Sequence, residues 1–99
     1  MSLFYLKYTR LRQQAVLMLQ HCAILSQLNR HQDALDISKS TALLIKDITE
    51  IAATIIMQKR ENTNEKIRWQ EKTQDLEEME REIQNKVTNY DSRAVDNRS

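Results

Sequence analysis

Ninety-nine residues make one domain or a segment of something larger, and a chain of this size buries only a modest share of its surface. A formal net charge of +1 speaks against a dedicated nucleic-acid or membrane-surface protein. No Gly and no Pro occur, aromatic residues are 5% of the chain, and strong helix formers are abundant, so the predicted class is all-α.

The first apolar series is Phe4, Tyr8, Leu11, Ala15, Met18, Cys22 and Leu25. Its alternating spacing of four and three marks one face of a helix from about residue 3 to 28. Leu17, Ile24 and Leu28 are expected to widen the buried face. The segment "FYLKYTRLR" mixes aromatic and basic residues. Phe4, Tyr8 and Leu11 belong to the stripe, while Lys7, Arg10 and Gln14 fall on the other side, so core aromatics with a wet basic face are predicted.

Asn29 follows the last apolar residue of that helix, and Asn is the best residue after Gly for a left-handed cap. A turn is predicted over 29–32 and a second helix from 33, with Asp33 and Asp36 in its first turn, where acids suit the helix dipole. Residues 3–57 then form an antiparallel helical hairpin, packed through Met18, Cys22, Leu25, Ala34 and Ile37.

Beyond the hairpin a seven-residue line runs through Ile48, Ile55, Asn62, Trp69, Leu76, Ile83 and Tyr90, with Ile51 and Met79 on the companion line. This is a coiled-coil seam, although Gln58, Glu65 and Lys72 leave the companion line polar in its middle. The stretch "RENTNEK" at 60–66 carries a helix penalty of roughly 2 kcal/mol, but the seven-residue phase passes through it unchanged. One helix from about Asp33 to Tyr90 is therefore expected. Its part from 58 to 90 projects from the hairpin, and a disordered tail follows over 91–99. Asn62 is expected to be buried against a partner helix, fixing register. Trp69 is either an irregular knob in that seam or an anchor for a different helix.

The stretch "LQHCAILSQLNRHQDALDISKSTALLI" resembles one tetratricopeptide-type hairpin over residues 18–43, through small Cys22, large Leu25, the "LNRHQDAL" turn, Ala34, and small Thr41 and Ala42. It departs at His21 and Ser38, has no closing Pro, and shows no second copy about 34 residues on. The resemblance implies a packed hairpin and a protein-binding role.

Chemistry has little to work with. One Cys and two His give no zinc-ligand spacing, so no metal is expected. Glu77, Glu78, Glu80 and Glu82 read as a solvated helix face, with Glu77–Arg81 and Glu82–Lys86 as ordinary pairs. No Gly-rich phosphate loop and no Ser/His/Asp arrangement is present, so neither catalysis nor a cofactor is expected. The single Cys22 and the lack of a signal peptide or membrane-length apolar run point to an intracellular, cytoplasmic setting. "NRS" at 97–99 reads as a chance sequon.

The function expected is a non-enzymatic protein–protein interaction or scaffold segment, part of an oligomer or larger assembly. Its partner is either a second copy or another helical subunit. Glu61 and Lys66 would attract across a parallel dimer, whereas Asp75 and Glu80 would repel. The alternative is a basic N-terminal helix binding an anionic lipid or nucleic-acid surface through Lys7, Arg10 and Arg12. A calmodulin-type target around "IIMQKRENTNEKIRW" is weaker, because that stretch is barely basic.

Overall fold

The computed structural model describes residues 3–59 and 61–98, with side chains as far as Val95. Four helices follow in chain order: α1 (Leu3–Gln27), α2 (His31–Gln58), α3 (Thr63–Lys72) and α4 (Asp75–Arg98). Among the described residues there are no strands. The class is all-α and its first half is an antiparallel hairpin. The chain then reverses again, so α3 and α4, joined through a bend, return along α2. The result is an elongated up-down-up bundle of 57 × 20 × 16 Å, with α2 as the central member.

The first reversal is made without Gly. Asn29 adopts φ 60°, the only positive φ among the described residues. The Arg30 N–H donates to the Leu25 carbonyl at 2.9 Å and the Asn29 N–H to Ser26 at 3.0 Å. This pair of bonds is the Schellman closure, which satisfies the carbonyls left open at the helix end. The other side of the turn is held by Arg30, whose Nε donates to Asp33 at 2.7 Å.

The second reversal differs from the unbroken helix that the seven-residue phase suggests. α2 stops at Gln58, and Asn62 caps α3 instead of continuing α2. Its backbone is extended, at φ −114° and ψ 92°, and its side chain accepts the Glu65 N–H at 3.2 Å. Asn followed three residues later by Glu is a helix-start signature, and Lys59 reaches across the turn to Glu65 at 3.1 Å. The phase survives because both helices must present their apolar line to one core. Arg60, in the predicted weak point, lies outside the described residues.

The projecting helix is likewise replaced by a docked one. Trp69, Leu76 and Ile83 are buried in one cluster with Ile45, Ile48 and Ile55 of α2. Burying such side chains contributes roughly 1.5–3 kcal/mol each, which an isolated projecting helix would forgo. The tail also differs from expectation. α4 continues to Arg98, and Ala94 is buried beside Tyr90 against Cys22, Leu25, Ala34 and Leu35. Of the "NRS" triplet, Ser99 lies outside the described residues.

The bend between α3 and α4 is local. The Thr73 hydroxyl donates back to the Trp69 carbonyl at 2.8 Å, and the Thr73 N–H donates to the same carbonyl at 3.0 Å. Side-chain bonding of this kind favours a bend, and the Gln74 and Leu76 N–H groups turn to the Glu71 and Thr73 carbonyls, at 3.3 and 3.1 Å, where the helical pattern is interrupted.

Candidate interaction surface

The residues of the predicted seam are spent inside the molecule. Ile48, Ile51, Ile55, Trp69, Leu76, Ile83 and Tyr90 are buried, and Met79 is half-buried against them. Asn62 is exposed at its cap. The seam thus joins α2 to α3 and α4 of the same chain, and no partner helix is needed to cover it. Of the hairpin residues, Cys22, Leu25 and Ala34 share one cluster, Ile37 packs on its edge and Met18 is half-buried.

Close approach at that end of the hairpin depends on small side chains. Ser38 and Thr41 are fully buried on α2, and their hydroxyls donate to the Leu35 and Ile37 carbonyls at 2.8 and 2.7 Å. Cys22 faces them as a free thiol. Burial pushes its pKa up, and a hydrogen bond with Thr41 and the charge of Lys86 offset this only in part. A thiol held protonated and buried is a packing group rather than a nucleophile.

The opposite end holds an arrangement that no sequence motif announced. Trp69 meets Tyr5 and Tyr8 edge-on, each pair of ring centroids 5.5 Å apart. Lys72 places its ammonium 5.0 Å from the Tyr5 ring and 4.9 Å from the Trp69 ring. Trp69 is therefore an anchor, but for α1 of its own chain. Arg12 pairs with Asp75 of α4, and its Nη1 donates to the Tyr8 hydroxyl at 3.4 Å. Burial raises the Tyr8 pKa against the opposing pull of Arg12. Of the three basic residues proposed to face an anionic surface, Arg12 is thus committed to the fold, while Lys7 and Arg10 remain exposed.

Large apolar side chains are also left outward on α1. Leu17, Ile24 and Leu28 were expected to join the core, yet they are 65%, 54% and 62% exposed, and Leu3 and Leu6 are 80% and 52% exposed. These five lie along one side of α1, opposite Tyr8, Ala15 and Cys22. The physical reason is coverage. Only α2 and the α3–α4 arm pack on α1, and both sit on the same side of it, so a helix with apolar residues all round keeps one stripe in water. Single exposed apolar residues need no explanation, but five on one face do, even though exposed Arg10 interrupts them between Leu6 and Leu17. Sequence reasoning missed it because periodicity gives the width of an apolar face and not the number of helices available to cover it.

The remaining concavities are shallow grooves. One runs between α1 and α2, lined by Lys7, Leu11, Asp47, Glu50, Ile51 and Thr54. Another lies at the α3–α4 bend, among Glu71, Asp75, Glu77, Glu78 and Arg81. Among the described residues no three His, Cys, Asp or Glu side chains converge to hold a metal, and no helix is long and apolar enough to cross a membrane. No family model, curated protein or solved structure matches this chain.

Proposed function

We propose that the chain is a non-enzymatic interaction or scaffold segment whose recognition element is the outward stripe of α1. The observation that carries this reading is the run Leu6, Leu17, Ile24 and Leu28 on one exposed helix face, each more than half in water. Exposed stripes of this kind on a rigid support are the usual seat of helix-to-helix recognition. The support is rigid because α1 is pinned at one end by the Tyr5–Tyr8–Trp69 cluster and at the other by Cys22 and Leu25. The tetratricopeptide resemblance of residues 18–43 favours the same class of role, since the small residues it rests on, Cys22, Ala34 and Thr41, are buried between the helices. The free thiol of Cys22 fits a reducing, cytoplasmic setting.

The double substitution Leu17→Gln with Ile24→Gln tests the reading. A recognition surface gives an unchanged melting temperature, within about 0.5 kcal/mol of stability, together with loss of association. A melting temperature lowered by many degrees would assign the stripe to the fold and sink the proposal.

A second reading has one specific support: α1 contains no Asp or Glu, Arg10 stands exposed within its apolar stripe and Lys7 stands exposed at its edge. Such a face would lie on an anionic lipid surface. Salt-sensitive binding of the whole chain to anionic vesicles, abolished by Lys7→Glu with Arg10→Glu, would favour it over protein recognition.

A further inference from the structure

We propose that the occupant of the α1 stripe is the same stripe of a second copy of this chain, packed antiparallel with Leu17 on the two-fold axis. This rests on the reading of the chain as an interaction segment and adds the partner and its register. The first argument is the symmetry of the stripe. Leu6 and Leu28 lie eleven residues either side of Leu17, and Arg10 and Ile24 lie seven either side. An antiparallel pair centred there sets Leu17 on Leu17, Leu6 on Leu28 of the second copy, and Ile24 against the aliphatic stem of Arg10. At the flanks Gln13 meets His21 and Gln14 meets Gln20, polar groups that can hydrogen-bond. A face that matches itself in this way meets the requirement of an isologous interface.

The second argument is charge. α1 itself carries no acid, and although Lys7 lines a groove with Asp47 and Glu50 of α2, Arg10 stands exposed within the stripe. A parallel pair would place Arg10 on Arg10. In the antiparallel register the two Arg10 residues are fourteen residues apart along the axis, about 21 Å at the helical rise and well beyond the ~8 Å screening length at physiological salt. No two cations then face each other. Arg12, which would have added to the positive field, is already paired with Asp75. Two exposed cations along a helix of 25 residues are also sparse for an anionic membrane surface, where the polar face is usually rich in Lys and Arg.

The third argument is size. A face of one helix, about 37 Å long and 10–12 Å across, is smaller than the roughly 800 Å² per partner of a standard interface. The pair is therefore a weak, reversible dimer, of the kind seen at the low end of interface size.

The experiment uses the full chain with single cysteines placed on the stripe. Cys22 stays in place, since it is buried and its thiol is held protonated. Helix axes 8–10 Å apart bring facing Cα atoms to roughly 5 Å, within disulfide range. Under mild oxidation with oxidised glutathione, Leu17→Cys should give a covalent dimer on its own. Leu6→Cys and Leu28→Cys should each stay monomeric alone and link to one another when mixed. Sedimentation of the unmodified chain should show mass rising toward the dimer across the micromolar range, and Leu17→Arg should hold it monomeric with its melting unchanged.

A monomer at every concentration up to about 1 mM overturns the proposal, as does Leu17→Cys linking no faster than Leu43→Cys, a control 68% exposed on α2. Leu6→Cys linking to itself would indicate a parallel pair and overturns the register. Binding to anionic vesicles by a chain that stays monomeric gives the stripe to lipid instead. If these failures come with normal melting of the stripe variants, the occupant is wrong and the interaction reading stands. If the variants unfold, both fall.

Discussion

The two ends of the bundle solve the same problem with the same residue type in opposite ways. Each must reverse a chain that contains neither Gly nor Pro. At one end Asn29 closes a finished helix, using the tolerance of Asn for positive φ, here 60°. At the other end Asn62 opens a new helix, using its side-chain oxygen to accept the Glu65 N–H. The packing behind each turn differs accordingly. Behind Asn29 lie small residues, Cys22, Ala34 and Ser38, that let α1 and α2 approach. Behind Asn62 lies the large cluster of Tyr5, Tyr8 and Trp69, which fills the wider space where α3 returns to α1. At one end backbone geometry and small side chains bring α1 and α2 together, with Tyr90 of α4 packed on them; at the other a cap and three aromatic rings close the turn.

That contrast breaks most sharply at the aromatic end. Trp69→Ala should cost about 3–5 kcal/mol, the range for a buried aromatic truncation, because two edge-on ring contacts and the Lys72 contact go with it. Denaturant melts followed by circular dichroism would measure it. A cost below about 1 kcal/mol would mean that α3 is not held against α1 by this cluster. The opposite fault belongs to the small-residue end. Ala34, fully buried beside Cys22 and Leu25, has no room for bulk. Ala34→Trp should therefore overpack the hairpin by about 1–3 kcal/mol. Thermal melting unchanged by that substitution would place the α1–α2 contact elsewhere.

These two ends also mark what could be read from the sequence. The all-α class follows from composition, and the hairpin from two apolar series separated by a single Asn at the end of the first. Asn29 was legible because it stands where the apolar stripe of α1 runs out and a left-handed residue is needed. Asn62 was not, because it falls in phase on the apolar line between Ile55 and Trp69. Counted by helix propensity alone, "NTN" is a mild penalty. Counted as a cap with Glu65 three residues on, it is a helix start, and the gain from docking Trp69, Leu76 and Ile83 decides between them. The phase of a heptad pattern cannot distinguish one long helix from two that face a shared core. The bend at Thr73 had no sequence signal beyond one mid-helix Thr. The outward stripe of α1 was visible as Leu17, Ile24 and Leu28, but whether those residues are core or surface depends on how many helices fold over them.

The finer test of the comparison lies in the turn residues themselves, at Asn29. Its left-handed backbone costs a β-branched residue roughly 1–2 kcal/mol, so Asn29→Val should lower stability by that amount, while Asn29→Gly should be neutral or slightly stabilising. Equal losses for Val and Gly would show that the Asn side chain, and not its conformation, holds the turn.

Asn62 should respond in the reverse sense. Its φ of −114° suits any residue, so conformation is not what Asn supplies there. Its contribution is one side-chain acceptor for the Glu65 N–H. Asn62→Asp should keep the cap and stability, with the added charge favoured at a helix start. Asn62→Ala should lose about 1 kcal/mol. Asn62→Gly should lose less, a few tenths of a kcal/mol, because an open backbone lets water reach the N–H groups. Asn62→Ile is the most informative of the set. Were Asn62 buried in a seam between two chains, Ile would raise the melting temperature and produce mixed oligomers. At an exposed cap, Ile removes the acceptor and adds apolar surface to water. Stability should then fall by about as much as with Ala, and the mass in solution should stay that of the unmodified chain. A higher melting temperature for Asn62→Ile would reopen the continuous helix, since only a buried a position rewards that substitution.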